Sequence, residues 1–198
     1  MKYIGEFLKH FSKVPTFSAR DAELFLTYIG ASRKYTKRFI QNMLAKDRIF
    51  RLAKGVYTTH NSSEVIGFAF SPFYYGLTYA LSYYNVWEER ANPVIITTKK
   101  VRTGVRKSMG INISVFRLPE KMFFGYNMVK GELVYYPISD PEKTFIDLVY
   151  FDVDLRKDTL RRLVKMINYK KLKEYLLRSP VWLQNKVIEL YKSVDKSI

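Results

Sequence analysis

Over the first sixty residues the apolar period is helical three times and then alternating, and the breaks between these runs leave few folds open. Tyr3, Ile4, Phe7, Leu8 and Phe11 recur at the i, i+3, i+4 spacing of an amphipathic helix, which Val14-Pro15-Thr16-Phe17 interrupts. Ser18 then stands as the N-cap of a second helix, with Asp21 near the positive end of its dipole and Ala22, Phe25, Leu26 and Ile29 as its apolar stripe. Gly30 predicts the left-handed residue that ends this helix, and Ser32 the cap of a third over about residues 33–46. Helix, short glycine turn, helix is the pattern of a helix-turn-helix.

The third helix is the most informative segment. Tyr35, Phe39, Ile40, Met43 and Leu44 recur at core spacing, while Lys34, Lys37, Arg38 and Gln41 share another stripe with Arg33 at its N-terminal edge. No acidic residue interrupts that stripe. It is either a solvated helix face or a recognition helix, in which Arg and Gln can bond base edges bidentately and Lys meets phosphate. Next come Arg48-Ile49-Phe50-Arg51-Leu52, Ala53-Lys54-Gly55 and Val56-Tyr57-Thr58-Thr59, two alternating strands around a glycine turn. A basic hairpin beside a helix-turn-helix makes a winged helix, with Arg51 and Lys54 placed to reach the backbone or minor groove of adjacent duplex.

Composition narrows the function classes. The 198 residues carry 34 Lys and Arg against 18 Asp and Glu, a net charge of +16, and 47% of them are hydrophobic, enough for a packed core and too many for a disordered basic tail. Twelve basic and five acidic residues fall in 1–65, and twelve and six in 151–198, so the excess sits at the two ends. Charge concentrated on particular elements suggests a polyanionic partner. With no cysteine and two histidines, disulfide, thiolate-zinc and cysteine-nucleophile chemistry is excluded, and the cytoplasm is the expected compartment. The amino end, Met1 to Glu6, meets charges too early for a signal peptide. Val65 to Trp87 carries no charge, about the length of a membrane span, but Pro72, two glycines and five tyrosines argue for a buried strand and helix.

Beyond a polar linker, His60 to Glu64, the reading is mixed. Phe70–Tyr75 is expected to be extended, Gly76–Tyr84 helical, and residues 94–98, 113–118 and 132–136 strands; Lys99 to Arg102 with Arg106-Lys107 reads as an exposed basic connection. Ser139-Asp140-Pro141-Glu142 has the hydroxyl cap, early proline and Glu at N3 of a capping box, launching a helix through Phe145, Ile146, Leu148 and Val149. Here Lys143 and Asp147 are i, i+4 neighbours on a helix face.

These stretches together resemble a family. Arg51-Leu52-Ala53-Lys54-Gly55-Val56-Tyr57, Tyr74-Tyr75-Gly76-Leu77-Thr78-Tyr79-Ala80-Leu81, Phe123-Phe124-Gly125 and Ile138-Ser139-Asp140-Pro141-Glu142-Lys143-Thr144-Phe145-Ile146-Asp147 look like the AbiEi antitoxin family of transcriptional regulators, over about residues 15–192. Where members commonly carry His-Gly after the alanine-leucine run, this chain has Tyr84-Asn85. The resemblance implies an N-terminal winged helix joined to a C-terminal α/β antitoxin domain, repression of the chain's own operon, and a nucleotidyltransferase-like toxin as partner.

Asp152-Val153-Asp154 is similar to the paired metal-holding aspartates of nucleotidyltransferases, but the small Gly-Gly or Gly-Ser turn those enzymes need upstream is replaced by Pro137-Ile138-Ser139-Asp140. Either aspartate is better placed to cap the next helix. Three C-terminal helices follow. Leu155, Leu160, Leu163, Val164 and Ile167 mark the first, Leu172, Tyr175 and Leu176 the second, and after Pro180 the third has Trp182, Leu183, Val187, Leu190 and Tyr191 as its apolar side. Their lysines and arginines form either a solvated face, a second phosphate-tracking surface or a contact for an anionic partner. The whole reads as an α+β protein with no enzyme chemistry, cofactor, metal or membrane partner: a winged helix over 1–60, an α/β antitoxin-like domain over 65–198, and double-stranded promoter DNA as the principal ligand, met by Arg33, Lys34, Lys37, Arg38, Gln41, Arg51 and Lys54.

Overall fold

A computed structural model describes residues 3–89 and 91–195. The chain divides into two compact units. One holds the chain up to Ser71 with Lys107–Ile111 and Lys130–Tyr136; the other holds Pro72–Arg106, Asn112–Val129 and the chain from Pro137 onward.

In the first unit, α1 (Ile4–Phe11), β1 (Phe17–Ser18), α2 (Ala19–Tyr28), α3 (Tyr35–Ala45), β2 (Phe50–Ala53) and β3 (Val56–Thr58) follow one another, and the strands form an antiparallel sheet in the order β1-β3-β2. This is a winged-helix arrangement. Ser18 caps α2 through a reciprocal box, its hydroxyl accepting from the Asp21 amide while Asp21 accepts from the Ser18 amide. At the other end Gly30, at φ 89°, lets the Ala31 amide bond back to the Leu26 carbonyl and its own amide to Thr27, the Schellman closure that turns the chain toward α3. The core is aromatic. Phe7 lies 4.6 to 6.1 Å, ring centre to ring centre, from Phe11, Phe17, Phe25 and Phe39, and Leu26, Met43 and Ile49 close around them.

Two local expectations change. α3 begins at Tyr35 rather than near residue 33, and Ser32 does not cap it; Lys34 occupies the cap position without a side-chain bond, and Arg33 lies in the turn. The stretch 60–64, expected as a linker, is tied down. His60 Nε2 bonds the Val14 carbonyl at 3.1 Å, and Ser62 caps a 3-10 helix, Ser63–Phe70, that buries Val65, Ile66 and Phe70.

The second unit contributes to a six-stranded sheet of order β6-β7-β5-β4-β9-β8, built from β4 (Phe73–Tyr75), β5 (Val94–Thr97), β6 (Gly104–Ser108), β7 (Ile111–Arg117), β8 (Tyr126–Lys130) and β9 (Tyr135–Ser139). β4 runs antiparallel to β5 and parallel to β9, and β5 parallel to β7. Every residue of β4 and β5 is buried, as central strands covered on both faces require. Most of the uncharged stretch 65–87 is buried, with Ser71, Pro72, Tyr83 and Asn85 exposed, and among the described residues no helix is long and apolar enough to cross a membrane. α4 (Leu77–Tyr83) follows β4; α5 (Pro141–Tyr150) leads into α6 (Lys157–Val164), α7 (Tyr169–Leu176) and α8 (Val181–Asp195).

The sheet edges were the part misread. Arg106-Lys107 lies within strand β6, and of the expected strand 132–136 only Tyr135 and Tyr136 are extended, as the start of β9; residues 132–134 turn the chain from β8 into it. Edge strands solvated on both faces lose the alternation that betrays a strand. Asp140, not Ser139, caps α5. Asp152 ends α5 in the left-handed region at φ 54°, and the N-cap of α6 is Arg156 without a side-chain bond, so neither aspartate caps that helix. On α8, Leu183 and Val187 are buried while Trp182 is 53% exposed.

Candidate nucleic-acid interface

All seven expected contact residues lie on the surface. On α3 the packing explains this directly. Phe39, Ile40 and Met43 are buried against the aromatic core, which turns Lys37, Arg38 and Gln41 outward on the opposite side, with Lys34 just before the first turn. Arg51 is the exposed residue of β2 between the half-buried Phe50 and the buried Leu52, and Lys54 sits in the two-residue turn beside Gly55, whose φ of 75° the hairpin needs.

The seven are not equivalent. Arg33 is engaged, its Nε 2.6 Å from Glu23 Oε1 of α2, so it braces the turn between the two helices. Among the described residues Lys34, Lys37, Arg38, Arg51 and Lys54 have no carboxylate partner within ion-pairing distance. Arg20, Lys46 and Arg48 are likewise exposed in this unit and were missed because they fall outside the α3 stripe.

The basic C-terminal helices differ. Arg156 and Arg162 face Glu89 and Glu88, Arg161 faces Asp158, Lys186 bonds Asp152, and Lys171 bridges Asp140 and Glu142 at 2.9 Å each. Much of this charge is compensated within the fold.

Sequence reasoning missed a second constellation. The resembling stretches from β4, the Phe123–Gly125 turn and α5 meet around Lys143, which is fully buried. Its Nζ lies 2.5 Å from Asp147 Oδ1 and 4.8 Å from the centre of the Phe124 ring, while Tyr74 donates to Asp147 Oδ2 at 2.7 Å. Asp140 accepts from the Lys143 amide and the Tyr175 hydroxyl, and Glu142 accepts from the Asn168 amide and Lys171. So Glu142 does not close a capping box; it fastens the start of α7 to the start of α5. Lys143 and Asp147 do pair at i, i+4 as expected, but inside the fold rather than on a solvated helix face. Between Thr144 and Val149 α5 is buried all round, so a charge at 143 or 147 has no solvent to face.

Burial and the neighbouring Asp147 hold the Tyr74 phenol well above its ordinary value, and burial with the Asp140 contact pushes Tyr175 up to about 12. Gly125, at φ 71°, passes so close that a Cβ would stand 2.7 Å from Lys143 Cβ and 2.8 Å from the Tyr175 ring. The cluster is a sealed clamp joining β4, α5 and α7. Asp152 and Asp154 border a cavity of about 430 Å³ walled by Phe145, Leu148, Val153 and Leu160. Among the described residues no three His, Asp or Glu side chains converge as a metal site.

No family model matches the chain, and no curated protein does. Among solved structures it is similar to the crystal structure of the RV2827C protein from Mycobacterium tuberculosis, at 13% identity and a TM-score of 0.65, over 98% of this chain and 78% of that one. At that identity the likeness is one of fold.

Proposed function

We propose that this chain is a transcriptional repressor of the AbiEi antitoxin type, which binds double-stranded promoter DNA through its winged helix and counters a nucleotidyltransferase-like toxin. The observation that carries the DNA reading is the solvent face of α3. It offers Lys37, Arg38 and Gln41, with Lys34 just before its first turn, and among the described residues these three cations have no carboxylate within ion-pairing distance, whereas the C-terminal arginines are largely paired. Uncompensated cations on a helix of groove-fitting size favour phosphate and base edges over mere solubility. α3 enters the major groove, Gln41 and Arg38 meet base edges, and Arg51 and Lys54 of the wing hold flanking phosphates. Occupancy of the promoter then excludes polymerase.

The test is binding to duplex from the chain's own promoter, read by anisotropy across salt. Four neutralised phosphates, at Lys34, Lys37, Arg51 and Lys54, correspond to a log–log slope of about −3.6, so affinity falls by roughly 10² between 50 and 200 mM salt. Lys37→Glu with Arg38→Glu lowers affinity and, through the lost Lys37 phosphate contact, flattens the slope by about 1. An affinity flat in salt, or unmoved by that pair, overturns the reading. The antitoxin role is supported by the resemblance, and co-expression with an adjacent nucleotidyltransferase-like gene tests it: rescued growth is expected, and unrelieved arrest would leave a stand-alone regulator.

A further inference from the structure

The two edges of the six-stranded sheet are finished differently. β6 begins at Gly104 and carries Arg106 and Lys107 in its interior, the charged blunting that keeps an edge from recruiting another strand. β8, Tyr126-Asn127-Met128-Val129-Lys130, has a single strand neighbour, β9, and no proline, and its one charge is at its last residue. Tyr126, Met128 and Lys130 share one face by strand periodicity, with Tyr126 and Met128 exposed at 38% and 57%. Leu133 and Tyr135, in the same hairpin, are also exposed, at 52% and 60%. One face of the Tyr126 ring is stacked on Tyr74, and the other apolar side chains stand beside an open backbone edge, the template a further strand can add to.

We propose that β8 pairs antiparallel with β8 of a second copy of this chain, about a two-fold axis through Met128. The strand is self-complementary in that register. Tyr126 lies opposite Lys130 of the other copy at both ends, setting an ammonium beside a phenol ring, Asn127 faces Val129, and Met128 meets its equivalent on the axis. Charge selects this register over its neighbours. The two Lys130 side chains stand four residues apart along the ribbon, about 13 Å, beyond the screening length of about 8 Å at physiological salt. Slippage toward Lys130-on-Lys130 pairing would place like charges face to face in two molecules that already carry +16 each. The pairing satisfies backbone groups that the edge otherwise leaves to water, and the short ribbon makes the dimer concentration-dependent. It also puts two copies of α3 into one assembly.

The absence of cysteine makes the test direct. Met128→Cys introduces the chain's single thiol on the two-fold, and Val105→Cys, at a position 73% exposed on β6, is the collision control. On mild oxidation without DNA, Met128→Cys should cross-link at least tenfold faster than Val105→Cys. Sedimentation of the unmodified chain should show a monomer–dimer equilibrium that Met128→Lys abolishes without changing its circular dichroism. Equal cross-linking rates, a chain monomeric at every concentration, or a dimer indifferent to Met128→Lys each overturn the proposal. Because no DNA is present, these outcomes leave the repressor reading to its own test.

Discussion

A fully buried ammonium is the costliest single choice in this chain, and Lys143 is held by its setting rather than by its own chemistry. One Asp147 carboxylate oxygen and the rings of Tyr74 and Phe124 surround it, and the Tyr74 hydroxyl donates to the other oxygen of that carboxylate. Removing one member of a buried pair leaves the other uncompensated, so Lys143→Met should cost about 3–5 kcal/mol in denaturant unfolding. Adding Asp147→Leu and Tyr74→Phe removes the orphaned groups and should return most of that loss. If the triple variant were no better than the single, the ion pair would be contributing more than mutual compensation. The clamp also predicts a pH dependence. Tyr84 and Tyr175 hold their protons to about 12, raised chiefly by burial and then by Asp140, against 10 for an unstructured phenol. Unfolding therefore releases protons above pH 10; this stabilisation is complete below pH 10 and is lost as pH rises through 10 to 12. Tyr175→Phe should make the alkaline fall of unfolding free energy shallower in that window.

At the scale of elements, turns of similar backbone shape differ in what they can hold. α4 ends in a Schellman closure whose left-handed residue is Asn85, at φ 57°, with the Val86 amide returning to the Leu81 carbonyl. Asparagine tolerates that region better than other side-chain-bearing residues, so the Tyr84-Asn85 departure from His-Gly keeps the turn. Asn85→Gly should leave the melting temperature unchanged or raised, and Asn85→Val should cost about 1–2 kcal/mol. Gly125 has a comparable φ but no space, so Gly125→Asn should destabilise by more than about 2 kcal/mol despite its acceptable backbone preference. Near-equal melting of the two asparagine-bearing turns would sink that distinction. The expected helix over 76–84 located the first turn, but nothing in the sequence around Gly125 signals the lysine and the tyrosine against it.

For the whole molecule the question is where +16 acts. Lys157, Lys165 and Lys170 are exposed, in a C-terminal segment whose Arg156, Arg161 and Arg162 are paired with Glu89, Asp158 and Glu88. Reversing these three lysines to Glu should change promoter affinity by less than about threefold, against tenfold or more for Lys37→Glu with Arg38→Glu, measured in the same salt. A C-terminal effect equal to that of α3 would make those helices a second phosphate surface. The helix-turn-helix, its cap at Ser18, its glycine closure at Gly30 and the outward stripe of α3 were determined by the sequence alone, because they follow from contacts within about four residues. The edges β6 and β8, the true cap at Asp140 and the burial of Lys143 and Asp147 were decided only in three dimensions. Edge strands carry no periodic signal, and whether a charge on a helix meets water or a tyrosine depends on chain about seventy residues away.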